Sequence, residues 1–135
     1  YVEWRSERDD RSYRLPTVDE LEKAGRGVDG RRFPWGDKFD ATFCKMRFSR
    51  SETPQPEPVG TFQNDVSPYG VRDLAGTIQE WCQPTDEHSS YVPAKGGGWG
   101  QDKRLCHLAS TVDKLIAARS ARVGFRLVYE PDFEH

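Results

Sequence analysis

Along most of this chain the hydrophobic positions stand singly between charged and small residues, and only a few stretches carry a period. The clearest is YRLPTVDELEKAGRG, residues 13–27. Thr17 followed by Glu20 has the spacing of a capping box, and Leu21 and Ala24 share one face, which predicts a helix stopped by Gly25 and Gly27. YVEWRSER at residues 1–8 suits the end of a helix, with Tyr1 or Val2 and Trp4 as its apolar positions. VGFRLVYE at 123–130 alternates, Phe125, Leu127 and Tyr129 on one side and Arg126 and Val128 on the other, as a strand does. TVDKLIAAR at 111–119 has a modest helical period, and VGTF at 59–62 reads as a short strand.

The rest is turn chemistry. ETPQPEP at 52–58 is a proline-rich exposed loop. DLAGTIQEWC, 73–82, suits either a helical turn or a strand, and EHSSYVPAKGGGWG, 87–100, reads as loop, strand, loop. Loops this long are usually functional, or pinned by something such as a metal. With 135 residues, one core is expected, burying roughly two-thirds of the unfolded surface.

Charge narrows the function classes. The net charge is −2 with 31% charged residues, so no basic excess marks the chain for nucleic acid. No apolar run approaches the roughly 20 residues of a membrane span. The chain opens on an aromatic rather than an initiator methionine, so a fragment or a processed mature product is expected, and nothing in it points to a compartment. Three cysteines, Cys44, Cys82 and Cys106, are an odd number. They permit at most one disulfide, and reduced core thiols account for all three. His88, His107 and His135 have no ligand spacing between them, and no nucleotide-binding, zinc-protease, hydrolase-elbow or kinase motif occurs.

Six short blocks, in order, carry a likeness. They are YRLPTVDELEKAGRG, FPWGD, PVGTF, SPYGVRDLAGTIQEWC, KGGGWG and ARVGFRLV, spread over residues 13–128. Together they resemble the formylglycine-generating enzyme family, the sulfatase-modifying-factor domain. The resemblance implies an α+β, C-type-lectin-like fold: a small antiparallel sheet, one or two helices and much irregular loop. It makes residues 1–135 a single domain, the C-terminal part of a family domain whose N-terminal portion is missing. Trp35, Trp81 and Trp99 lie in the shared blocks and are expected in the core, Trp4 less so.

Family membership alone does not fix function. The family holds a copper-dependent oxidase that turns a sulfatase cysteine into formylglycine. It also holds ergothioneine-biosynthesis domains, non-catalytic paralogues, ligand-binding variable proteins and domains appended to bacterial Ser/Thr kinases. The oxidase uses two thiolates five positions apart just after the GGS block, a soft pair suited to Cu(I). Carried over, those positions are Gln101 and Cys106, so the copper pair is incomplete. The resemblance also implies a structural calcium held by the Asp73 side chain, the Gly76 and Ile78 carbonyls and the Glu80 side chain. Calcium takes six to eight hard oxygens, and two carboxylates would balance its charge. Alternatively, Asp73 and Glu80 simply bond loop amides or pair with Arg72 or a lysine. The segment after GGGWG lines the family's substrate groove, which makes Gln101, Asp102, Lys103, Arg104 and His107 candidates for ligand contact.

The expectation is therefore a non-catalytic binding or sensory module with one Ca²⁺, without copper, in a larger bacterial protein such as a Ser/Thr kinase. Its partner would be a protein or small-molecule ligand, with self-association or pairing to the missing N-terminal segment also open. The alternative is a divergent oxidase working through Cys106.

Overall fold

A computed structural model describes residues 1–131; His135 lies outside them. The architecture is α+β, with two helices, two small sheets and long irregular connections. Helix α1 (Val2–Asp9) ends at Asp10 in the left-handed conformation and buries none of its residues. Strand β1 (Tyr13–Arg14) leads to helix α2 (Val18–Arg26). The capping box is formed as its spacing predicted: the Thr17 hydroxyl accepts from the Glu20 N–H at 3.1 Å, and the Glu20 carboxylate accepts from the Thr17 N–H at 2.9 Å. The Arg14 guanidinium forks onto Glu20 with two bonds of 2.7 Å, and together with the Thr17 backbone N–H it draws that carboxyl down to about 2. Gly25 does not stop the helix. It lies inside it, where a Cβ would strike Leu108, and the helix closes at Gly27 with φ 66.

Strands β2 (Gln79–Trp81), β3 (Tyr91–Lys95), β4 (Val112–Leu115) and β5 (Val123–Gly124) form one sheet in the order β4-β3-β2-β5. The sheet is not wholly antiparallel, since β5 runs parallel to β2. Strand β6 (Val128–Tyr129) leaves it to pair with β1. The alternation at 123–130 is thus cut in two, with Phe125–Leu127 crossing between sheets. β4 replaces the helix that the period of 111–119 suggests. Its four residues pair with Tyr91–Ala94 along β3, and that long-range ladder overrides a weak local preference. Residues 59–62 are not a strand either: Thr61 bonds back to the Pro58 carbonyl in a turn through Gly60, leaving Val59 exposed and Phe62 buried.

Two small apolar clusters hold these pieces. Leu21, Leu74, Cys82 and Leu108 join α2 to the sheet. Phe33, Cys44, Met46, Ala75 and Cys106 join the loops, with Trp35, Phe39 and Ala41 against them. Trp35, Trp81 and Trp99 are only partly buried, and Trp4 is half exposed. Trp35 packs on the outside of the second cluster, while Trp99 lies under the Arg122 guanidinium and Trp81 beside Leu15 and Val92. All three cysteines are free and buried.

Candidate functional site

The loops on either side of the second cluster approach one another. The turn 33–36 closes on reciprocal Phe33–Gly36 backbone bonds of 2.8 and 3.0 Å. The segment after GGGWG makes a 3-10 turn, Lys103–Cys106, capped by Asp102, whose carboxylate accepts from the Arg104 N–H at 2.9 Å. A backbone bond from Leu108 N–H to the Arg32 carbonyl, 2.9 Å, ties the two loops together.

Between them lies an open pocket of about 390 Å³. Its apolar wall is Phe33 and Phe39, their ring centres 5.4 Å apart, with Trp35 stacked on Phe33 outside the pocket lining. Its rim carries Arg32, Lys103 and Arg104 against one acid, Asp37. The Lys103 ammonium sits 5.8 Å from the Phe39 ring centre. His107 meets Phe33 edge-on at 5.6 Å and accepts the Ala109 N–H on Nδ1, so the neutral ring carries its proton on Nε2. Burial lowers the His107 pKa, and the nearby Arg26 and Arg32 charges lower it further. Three cations facing one carboxylate over aromatic faces favour an anion with a flat apolar part. A larger groove of about 600 Å³ runs past Thr17, Asp19, Thr85, Thr111 and Asp113; it presents acids and hydroxyls and no basic group.

The structure brings together three of the five residues singled out for ligand contact. Lys103, Arg104 and His107 line the pocket. Asp102 caps the turn beneath them. Gln101 points inward, its amide bonded to Gln79 at 3.2 Å, and its Oε1 is buried without a partner among the described residues. Arg32, Phe33, Asp37 and Phe39 were missed. Their signal is the aromatic and basic content of GRRFPWGDKF, which locally spells only turn chemistry; loop-to-loop proximity is invisible to local pattern.

Cys106 is buried within the second cluster, and Cys44 lies alongside it. The Cys44 thiol is pushed far above the ordinary range by its hydrogen bond to Cys106 and by burial. Burial likewise takes Cys82 up to about 11. A Cu(I) site draws on exposed thiolate pairs. A single buried thiol and an amide committed to Gln79 do not fit that ion.

The 73–80 loop is closed from within. Asp65 is fully buried, and its carboxylate accepts the Leu74 and Ala75 N–H groups at 3.2 and 3.0 Å. Burial raises that carboxyl to about 7, against the pull of the two backbone donors. Gly76, at φ 80, lies where a Cβ would overlap the Lys45 carbonyl, which accepts the Thr77 N–H at 2.7 Å. Ile78 N–H bonds the Gly76 carbonyl at 2.7 Å. Asp73, at φ 56, turns its side chain to the Gly60 N–H, 2.8 Å away. Glu80, on β2, is paired with Arg126 rather than with Arg72 or a lysine. As arranged, the four residues expected to hold calcium do not fit that ion: one carboxylate faces a loop amide and the other a guanidinium.

Comparison with known proteins follows the same lines. The sulfatase-modifying factor enzyme 1-like domain matches residues 1–131. A mouse protein described as inactive C-alpha-formylglycine-generating enzyme 2 is 33% identical across 98% of this chain, which covers 41% of that protein. A Chlamydia caviae protein described as serine/threonine-protein kinase pkn1 is 37% identical across 84% of the chain, covering 20% of the kinase. Among solved structures, PvdO from Pseudomonas aeruginosa superposes with a TM-score of 0.85 at 20% identity, over 97% of this chain and 57% of that one, a likeness of fold. The chain belongs to the sulfatase-modifying factor family and spans less than half the length of these two relatives.

Proposed function

We propose that this chain is a non-catalytic binding module of its family, carried within a longer bacterial protein. Its ligand, on this reading, is a small anion with an aromatic or flat apolar body. The observation that carries this is the convergence of Arg32, Lys103 and Arg104 over Phe33 and Phe39 in one pocket. Cation-rich rims orient carboxylates and phosphates, while the aromatic wall supplies apolar contact area. The non-catalytic part is supported by Gln101 at the position where the oxidase has a thiolate. In a kinase-bearing parent, occupancy of the pocket would be the sensed event.

Isothermal titration with a series of aromatic carboxylates and phosphates, beside neutral isosteres, tests the reading. Anions are expected to bind at least tenfold more tightly than their isosteres, and the Lys103→Glu/Arg104→Glu variant is expected to lose that preference. Equal affinity for charged and neutral probes would refute it. The alternative reading, copper-dependent oxidation through Cys106, would require Cys44, buried beside it, to take the place of Gln101 as the second thiol in an arrangement other than the one described. Oxygen uptake with a thiol peptide and Cu(I), abolished by Cys106→Ser, would establish it; no uptake would leave the binding module.

A further inference from the structure

We propose that the Arg126 guanidinium is the resident cation of the 72–80 loop, doing the organising work for which the family resemblance calls on calcium. The strand pairing delivers it. β5 runs beside β2 with Glu80 opposite Gly124, so Arg126, two residues on, arrives at the Glu80 carboxylate.

Arg126 then makes four bonds from two nitrogens. Nε and Nη2 donate to the two Glu80 oxygens at 2.6 and 2.8 Å. Nη2 also donates to the Arg72 and Asp73 carbonyls at 3.1 and 3.2 Å. One carboxylate and two loop carbonyls gathered on one positive charge is the ligand pattern of a hard cation, met here by a planar fork. Charge balance agrees. With Asp73 turned to the Gly60 amide, a single carboxylate reaches the place, and a single positive charge neutralises it. A divalent ion beside the guanidinium would meet like charge and would have to displace bonds already formed. Glu80 is buried: desolvation raises its carboxyl, and Arg126 opposes that rise.

This inference is independent of the ligand pocket. Its test is the melting temperature of the purified chain after chelation and again in millimolar Ca²⁺, alongside calcium titration calorimetry. The melting temperature is expected to be the same in both, with no saturable heat. Arg126→Gln is expected to melt many degrees lower, and Glu80→Gln/Arg126→Gln to recover part of that loss, because the stranded buried charge has gone. A rise of several degrees in the unaltered chain, with one calcium bound per chain, would overturn the proposal. So would an Arg126→Gln variant as stable as the unaltered chain. Should Arg126→Gln fail to fold, the calcium response of the unaltered chain still decides.

Discussion

Two charged loops lie close together in sequence and use their charges in opposite ways. In the 73–80 loop each carboxylate has a partner inside the protein: Asp73 a backbone amide, Glu80 the Arg126 fork, with Asp65 binding the loop from below. Around 103–107, Lys103 and Arg104 are exposed, and among the described residues Arg104 pairs with Asp102 on the surface. Exposed pairs of that kind contribute little to stability, whereas a buried carboxylate deprived of its partner costs a great deal. The first loop therefore holds the fold and the second is free to hold a ligand. Acidic side chains in a family metal motif are thus not sufficient evidence of a metal, because each carboxylate here already has a partner.

Four variants sharpen the contrast. The largest effect is expected from Gly76→Ala, which sets a Cβ into the Lys45 carbonyl at a left-handed φ. A loss of about 4 kcal/mol or more in denaturant unfolding is expected; a mild loss would mean the loop is not tightly seated. Arg126→Ala should cost about 3 kcal/mol by stranding Glu80, again read by denaturant unfolding.

Asp65→Asn should cost about 2 kcal/mol, because the Leu74 and Ala75 N–H groups are held by separate oxygens and an amide sets its own NH2 against one of them. It also carries a signature in pH. The folded carboxyl titrates at about 7, above its unfolded value, so the folded chain binds more protons between about pH 4 and 7. Asp65 thus adds stability as pH falls through about 7, and burying its charge costs stability above that. His107, lowered on folding, acts the other way: its contribution is present above its unfolded pKa and is lost as pH falls. The difference between unaltered and Asp65→Asn stability across pH 4–8 isolates the Asp65 part; a flat difference would contradict it. The smallest effect on folding is expected from Lys103→Glu/Arg104→Glu, within about 0.5 kcal/mol of the unaltered chain, with at least a tenfold loss of anion affinity.

Much of the scaffold was legible in local pattern. Thr17 and Glu20 announce a helix start because a capping box is made by residues three apart. The β3 and β4 ladder was not legible: Val112–Leu115 is a strand only because Tyr91–Ala94 offers an edge. The same limit hid half of the pocket. Lys103, Arg104 and His107 could be singled out as a block, but Arg32, Phe33, Asp37 and Phe39 join them only in three dimensions, through the Leu108–Arg32 backbone bond and the packing of Phe33 and Phe39 on His107 and Lys103. For the 73–80 loop, the proposed internal cation is Arg126, 46 positions beyond Glu80 and beyond the reach of local pattern.

The most direct test of the division between the two loops is a ¹H–¹⁵N titration with phenyl phosphate, repeated with benzyl alcohol. Saturable shifts confined to residues around 32–39 and 103–110, at least tenfold weaker for the alcohol, are the predicted result. Shifts centred on the 73–80 loop, or none that depend on charge, would contradict the assignment of binding to the outer loop.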